Sequence, residues 1–441
     1  MSRKLIISII IILFLALGVA VYFAYTGNSG TNAGGEQKSL LGSLFPFGKN
    51  DVTPGTGTNT PGSNPDGTPD DPENPQAPRR LTLVSDKVLA GYTVRPEASI
   101  TPEYNINDTS GESTQAGDRT PILRFVERGT GYIYDINARG QSGKKISSTV
   151  IARTAQALFA DGGASVILRY IKNDNITVAT FLGHVTAPVT STADGTLKGD
   201  FLPDNLVDIT VSPDQKNILF LLPTAGGVAG ISMKADGTGK KQLFSSSFSE
   251  WLLDWPTTAP VLTTKASADV KGYAYQVIKT GVFQSLIGNI NGLTTKTSAD
   301  GKYLLYSVSG GKGLTLHLKN LTNGTDYNLG LQTLPEKCTW SADKNAAYCA
   351  ASKSLAAAAY PDAWYQGTMA FNDSFWRVDL ASGKTIEAND GEKENLDAVN
   401  LSQDEHGQYL FFMNKNDGSL WSLNLSPVPT SLPTPSLPTV Q

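Results

Sequence analysis

Apolar and polar residues alternate over short stretches through most of the chain between residues 79 and 425. Long runs with a 3.6-residue apolar period are missing, so the pattern predicts strands rather than helices. Five segments repeat one plan, in which a strand leads through Ser or Ala and an acidic tight turn into a second apolar strand. These segments begin at Leu158, Thr210, Thr295, Thr339 and Val399. The body of the protein is therefore predicted to be all-β.

The repeats have a regular spacing. The residue before the Ser, Ala or Pro of each turn, with one weaker copy included, is Phe159, Val211, Trp255, Thr297, Trp340 or Leu401. Successive separations are 52, 44, 42, 43 and 61 residues. Most of them match the ~40–45 residues of a four-stranded propeller blade, and the two long intervals mark insertions.

A ring of blades explains why such sheets are stable. A single four-stranded sheet has two apolar faces, which a radial stack buries against neighbouring blades. A first blade is predicted from strands at residues 88–94, 122–127, 132–137 and 145–151. This gives about seven blades, and a count of six or eight is also compatible with the sequence. The strand at 80–85 is left over and the last blade, ending at Leu425, lacks a fourth strand, so we predict that this strand closes the ring.

The turn of the repeat resembles the Trp-Ser-Pro-Asp-Gly turn of TolB-type, WD40-like propeller repeats. It occurs here as Trp340-Ser341-Ala342-Asp343, Val211-Ser212-Pro213-Asp214 and Thr297-Ser298-Ala299-Asp300-Gly301. The resemblance covers residues 79–425 and implies the propeller fold. It implies no chemistry, because propellers serve unrelated functions. Departures at Asp161, Pro256 and Gln403 indicate degenerate blades.

An uncharged apolar run from Leu5 to Tyr25 follows Arg3 and Lys4. A helix of this length rises about 31 Å, enough to cross the hydrocarbon layer of a membrane. The basic flank predicts that the first four residues are cytoplasmic and that the rest of the chain lies outside. The alternative is a secretory signal cleaved near Ala20. Both interpretations export the propeller.

The segments on either side of the repeats are rich in Gly, Ser, Thr and Pro. Residues 26–78 cannot bury enough apolar surface to offset their ordering entropy, which predicts a disordered linker. Residues 426–441 have a similar composition and predict a free tail. The chain is therefore expected to be a single-pass protein of the cell membrane with an extracytoplasmic propeller.

Several kinds of function are disfavoured by composition and motifs. Charged residues make up 17% of the chain and its net charge is −4, so no basic surface for nucleic acid is implied. The three histidines, His184, His317 and His406, lie in different predicted blades without metal-ligand spacing. Neither a Gly-x-Ser-x-Gly elbow nor a helix-opening GxGxxG occurs. We expect no metal, no cofactor and no catalytic site.

The two cysteines, Cys338 and Cys349, occupy apolar slots of the repeat and face each other across a predicted hairpin. In an exported protein this pair could form a disulfide. The alternative is two reduced thiols packed in the core.

An aromatic insertion in the predicted sixth blade, residues 354–373, departs from the repeat. We consider it a candidate binding loop at the rim, with Asp362, Trp364, Tyr365 and, just beyond it, Trp376 as contact residues. The alternative is that these rings fold down and plug the end of the channel or cover a gap between blades.

Two classes of function remain. The first is a non-enzymatic module that binds a protein or polysaccharide of the cell envelope. The second is an enzyme acting on envelope glycans or peptides, with carboxylates at the channel mouth. Asp362 and Asp373 are the candidates for those carboxylates.

Overall fold

The computed structural model describes residues 80–96, 120–141, 143–186, 194–279, 281–311, 313–391 and 394–426. The predicted anchor helix at 5–25, the linker at 26–78 and all of the tail beyond residue 426 lie outside these ranges. Within them, none of the helices has the length and apolar character needed to span a membrane.

Seven antiparallel four-stranded sheets make up the described part of the chain. The first strand, β1 (Leu81–Ser85), belongs to blade 7. Blade 1 contains β2 (Leu89–Val94), β3 (Ile122–Glu127), β4 (Ile133–Asn137) and β5 (Lys144–Ser147). Blade 2 contains β6 (Thr154–Ala160), β7 (Ser165–Ile171), β8 (Val178–Thr186) and β9 (Thr196–Leu202). Blade 3 contains β10 (Ile209–Val211), β11 (Asn217–Thr224), β12 (Gly227–Lys234) and β13 (Lys241–Ser246).

The remaining blades follow the same order. Blade 4 contains β14 (Trp251–Asp254), β15 (Val261–Thr264), β16 (Lys271–Ile278) and β17 (Val282–Asn291). Blade 5 contains β18 (Thr295–Thr297), β19 (Tyr303–Gly310), β20 (Gly313–Asn320) and β21 (Asp326–Asn328). Blade 6 contains β22 (Cys338–Trp340), β23 (Ala346–Ser352), β24 (Asp373–Asp379) and β25 (Thr385–Asn389). Blade 7 contains β26 (Ala398–Gln403), β27 (Tyr409–Asn414) and β28 (Leu420–Asn424), followed in the sheet by β1.

Short helical turns interrupt this pattern. Asp161–Gly163 and Pro335–Lys337 are 3-10 turns, and the insertion in blade 6 contains the single-turn helix α1 (Asp362–Tyr365).

The ring is closed by the N-terminal strand, as the sequence predicts. Strand β1 pairs antiparallel with β28, with Leu81 opposite Leu423 and Leu83 opposite Trp421. Leu81 is only 4% exposed, so closure buries apolar surface as well as pairing backbone. The predicted number of seven blades is confirmed.

Apolar layers between blades form the core. Leu305, Leu316 and Leu318 of blade 5 form one buried cluster with Ala347 and Val378 of blade 6. Each face of a sheet is thus covered by the next blade, which is why no separate layer of helices is needed.

The repeated turn motif has a structural role. Ser341 donates a hydrogen bond to Asp343 Oδ1 at 2.5 Å and accepts the backbone N–H of Ala346 at 2.9 Å. The Ser341 hydroxyl lowers the pKa of Asp343. The next residue, Lys344, has φ +60°, a conformation that favours glycine, and the equivalent Gly301 has φ +72°. The acids of these motifs therefore stabilise turns and need no role in chemistry.

The two cysteines form a disulfide. They lie opposite each other on β22 and β23 with Cα atoms 4.0 Å apart, and both are fully buried. Of the two alternatives left open by the sequence, the structure contains the disulfide.

A replacement of both cysteines by serine should lower the free energy of unfolding by about 3 kcal/mol, because the bond constrains an 11-residue loop of the unfolded chain. Denaturant unfolding measures this loss. As a chemical check, a maleimide should label neither cysteine of the denatured wild-type chain before reduction and both after it. Two labels before reduction would contradict the bond.

Candidate functional site

The first strand of each blade lies nearest the centre of the ring. First strands of neighbouring blades contact one another, as β6 and β10 do, and β22 and β26. A cavity of about 390 Å³ opens among them. Its lining consists of Asp208, Leu252, Leu253, Asp254, Thr263, Thr294, Thr295, Lys296, Glu336, Tyr365 and Asn400.

Two aspartates of the cavity connect consecutive blades. Asp208, directly before β10, accepts the backbone N–H groups of Ile209 at 2.8 Å and of Leu253, in blade 4, at 2.9 Å. Asp254, the last residue of β14, accepts the N–H of Trp255 at 2.8 Å and also the backbone N–H of Thr297, in blade 5. Burial raises the pKa of both carboxyl groups. The wall of the cavity thus holds fixed acceptors whose negative charge is poorly solvated.

Lys296 on β18 supplies the positive charge. Its Nζ donates a hydrogen bond to the carbonyl of Cys338, in blade 6, at 2.7 Å. Burial lowers the pKa of Lys296, while Asp254 and Glu336 act in the opposite direction. The lining contains three acidic residues, Asp208, Asp254 and Glu336, and one basic residue, Lys296. Its formal charge is therefore negative.

Glu336 and Tyr365 complete the cavity. The Tyr365 hydroxyl donates to Glu336 Oε1, and the Thr294 hydroxyl donates to Oε2 at 3.0 Å. Burial of the hydroxyl, followed by the charge of Glu336, raises the pKa of Tyr365 well above its usual value. Tyr365 is therefore a neutral donor at the wall, and 41% of its surface remains exposed.

The four predicted rim residues lie in different surroundings. Trp364 is only 5% exposed and donates from Nε1 to Asp397 Oδ2 at 2.9 Å, so the expectation of an exposed ring is wrong at this position. Trp376 packs against the apolar layer between blades 5 and 6. Asp362 accepts the backbone N–H of Ala268, in blade 4, at 2.7 Å. Of the four, Tyr365 lines the cavity.

The insertion folds down because its large rings gain free energy by burial. Tyr360 and Phe371 are 0% and 1% exposed and form one cluster with Trp364, Leu314 and Leu334. This is the alternative arrangement considered for the aromatic loop.

The carboxylates suggested for an enzyme do not meet in the cavity. Asp373 is 2% exposed and forms an ion pair with Lys337 at 2.8 Å. Asp362 is held by Ala268. Neither residue lines the cavity, so this cavity does not bring the two predicted carboxylates together.

Apart from Tyr365, the residues that line the cavity were not predicted from the sequence, although a signal for some of them exists. Asp254, Lys296 and Asn400 each directly precede the repeat marker of their blade, namely Trp255, Thr297 and Leu401. Because side chains alternate along a strand, this position can face the channel while apolar neighbours face the adjacent blades.

The histidines are not assembled into a metal site. His184 Nδ1 lies 2.9 Å from the Ser165 hydroxyl, and His317 lies 3.6 Å from Asp326. In the described ranges, His, Cys, Asp and Glu form no group of three or more that could hold a metal.

Comparison with known proteins gives likeness in fold. No protein-family description and no curated protein matches the chain. Among solved structures, TolB from Acinetobacter baumannii aligns with a TM-score of 0.35 at 14% identity over 67% of this chain and 60% of its own. Oligogalacturonate lyase from Vibrio parahaemolyticus aligns with a TM-score of 0.45 at 7% identity over 78% and 97%. The propeller domain of the Trilobed protease from Pyrococcus furiosus gives 0.44 at 8% identity over 70% and 92%.

The alignment thus spans 60% of the length of the TolB chain. The seven four-stranded blades agree with the propeller fold that the resemblance in the sequence implies. In fold, the chain is a seven-bladed β-propeller.

Proposed function

We propose that this chain is a non-enzymatic, extracytoplasmic β-propeller that binds a protein partner of the cell envelope through the mouth of its central cavity. The observation that carries the proposal is the unequal charge of the lining, where Asp208, Asp254 and Glu336 face Lys296. A basic side chain of a partner would offset this excess and would be oriented by the fixed acceptors of the wall.

The hydrogen bonds of the cavity favour binding over catalysis. Asp208 accepts two backbone N–H groups, and Glu336 accepts two hydroxyl groups. Lys296 donates to a backbone carbonyl. Groups held in this way are preorganised for recognition, whereas a general acid or base must exchange its proton with a substrate.

Two features support an envelope location. The disulfide between Cys338 and Cys349 is of a kind that persists in oxidising compartments. The apolar run from Leu5 to Tyr25, behind two basic residues, favours export with the propeller outside.

The proposal predicts a preference for positive charge. Short peptides that differ only in a central Lys, Gln or Glu should bind the full chain in that order, with about tenfold between Lys and Glu at low salt. The difference should shrink as salt is added, because screening weakens exposed charges. Replacing Asp254 by Asn and Glu336 by Gln together should remove the preference. Calorimetric titration measures all three affinities.

Asp204→Asn is the matched control, since it removes one negative charge from an exposed ion pair with Lys172 that lies outside the cavity lining. This variant should bind the three peptides as the wild type does. Equal affinity for the Lys and Glu peptides would overturn the protein-binding proposal. Binding of a neutral oligosaccharide instead would assign a glycan partner, and release of shortened glycan products would show an enzyme.

A further inference from the structure

A lysine and two aspartates are buried together beside the insertion. Lys337 is fully buried, and its Nζ lies 2.5 Å from Asp397 Oδ1 and 2.8 Å from Asp373 Oδ2. Asp397 is 0% exposed and Asp373 is 2% exposed. Lys337 directly precedes blade 6 and Asp397 directly precedes blade 7, so the contact joins the starts of two blades.

Aromatic rings enclose this group. The Lys337 Nζ lies 4.6 Å from the centre of the Phe371 ring and 5.5 Å from that of Trp364. Nζ also donates to the backbone carbonyl of Ala398 at 2.9 Å. Isolated ions are costly in such surroundings, so a reaction that removes both charges is favoured there. Once Nζ gives up a proton, it is a nucleophile in hydrogen-bond contact with the carboxyl group of Asp397.

The Asp397 carboxyl group is polarised by donors. Trp364 Nε1 donates to Oδ2 at 2.9 Å and to Oδ1 at 3.2 Å, and the backbone N–H of Phe371 donates to Oδ2 at 3.3 Å. Donors placed on a carboxyl oxygen stabilise the negative charge that develops there when a nucleophile adds to the carbon. Because of these contacts, we assign Asp397 rather than Asp373 as the carboxyl group that the nitrogen attacks.

Asp373 is placed to move protons. Its Oδ2 lies beside Lys337 Nζ and accepts the N–H of Ala398 at 2.7 Å, while Oδ1 is buried without a partner among the described residues. Burial raises the pKa of Asp373 to about 6. This carboxyl group can therefore take up a proton and release it near neutral pH.

We propose that Lys337 and Asp397 condense into an intramolecular amide bond, with Asp373 as the proton carrier. Asp373 first carries a proton from the Lys337 ammonium group to the Asp397 carboxylate, and the amine nitrogen that results adds to Cγ of Asp397. Asp373 accepts a proton from the nitrogen and returns one to the departing hydroxyl, so one water leaves and no oxidant is needed. The product links residues 60 positions apart and replaces two buried charges by a neutral amide.

Contact geometry supplies the driving force for the condensation. Holding the amine and the carboxyl group together corresponds to a very high effective concentration, and exclusion of bulk water disfavours the reverse hydrolysis. An exposed lysine and aspartate at the same distance lack both conditions, so they remain an ion pair.

The test is a tryptic map of the reduced full-length wild-type chain. An amide at Lys337 blocks cleavage there, so peptide 320–344 should appear joined to peptide 394–415. The mass of the branched product should lie about 18 Da, one water, below the sum of the two peptides. Linear peptides ending at Lys337, in full yield, would overturn the proposal.

Two controls make the map specific. Lys172 and Asp204 are 2.6 Å apart but 41% and 43% exposed, and they should yield only linear peptides. An Asp373→Asn variant keeps both reacting groups and should lose most of the branched product. Full conversion in that variant would overturn the role of Asp373, and a bond at Lys172 would show that burial is not required.

Discussion

A Trp364→Ala variant should unfold with a free energy about 4 kcal/mol below that of the wild type, because truncation of a buried aromatic side chain leaves a cavity. Trp364 is 5% exposed and packs edge-on against Phe371 with ring centres 6.0 Å apart. The variant also removes the Nε1 donor of Asp397, which leaves a buried carboxylate with fewer partners. Denaturant unfolding monitored by far-ultraviolet circular dichroism measures the loss.

The neighbouring Tyr365→Ala variant is the matched control. Tyr365 is 41% exposed, and its replacement should cost less than about 1 kcal/mol. If Trp364→Ala lost no stability but abolished binding of the Lys-centred peptide, the ring would act as a binding anchor. That outcome would contradict the packing seen in the structure.

The fold could be predicted because the information is local and repeated. Five blades carry the turn signal and a sixth has a weaker copy. In the turn of blade 6, the Ser341 hydroxyl donates to Asp343 and accepts the backbone N–H of Ala346, which begins the next strand. Closure by β1 could be predicted from the number of strands. One strand at the start of the repeat region belonged to no blade, and the last blade lacked a fourth strand. The fourth strand of blade 1 ends at Ser147, earlier than predicted.

The cavity could not be predicted because its residues come from different blades. Asp254 and Glu336 are 82 positions apart in sequence, and only the ring places them on one cavity. Asp254 also resembles an ordinary polar residue at the end of a strand, and Glu336 resembles an ordinary polar residue of a turn. The fold therefore had to be known before the residues could be grouped.

The conformation of the aromatic insertion could not be predicted for a different reason. Its aromatic content fits both an exposed binding loop and a buried plug, since burial depends on the space that neighbouring blades leave open. In the structure Tyr360, Phe371 and Trp364 fill that space, and Lys337 and Asp397 lie beneath them. Tyr365 remains at the surface and reaches the cavity.

Replacement of Lys337 by Met should lower the free energy of unfolding at pH 8 by roughly 4 kcal/mol, because the carboxyl groups of Asp373 and Asp397 are then buried without the lysine nitrogen that contacts both of them. The loss is expected whether Lys337 forms an amide or an ion pair. An amide removes the charge of Asp397, and an ion pair balances it. Lys415, which lies over the Trp364 ring at 4.1 Å, is the other charged group facing Asp397.

The deficit should depend on pH. Burial raises the pKa of Asp373 to about 6, whereas an unfolded aspartate titrates near about 4. The folded form therefore binds more protons between these values, so the contribution of this group is fully present below about pH 4 and is lost as the pH rises through 6. Without the lysine the pKa of Asp373 should rise further, because the negative charge of Asp397 then acts on this carboxyl group unopposed. Lys337→Met should consequently be less destabilising at pH 5 than at pH 8.

Lys172→Met provides the reference for this comparison, since Lys172 pairs with Asp204 at the surface. Its unfolding midpoint should match that of the wild type at either pH, because solvent screens an exposed ion pair. A loss for Lys337→Met that is equally small and independent of pH would mean that the two aspartates are stabilised by something other than this amine. A large loss that fades on acidification would instead identify Lys337 as the residue that allows the carboxyl groups of Asp373 and Asp397 to be buried between blades 6 and 7.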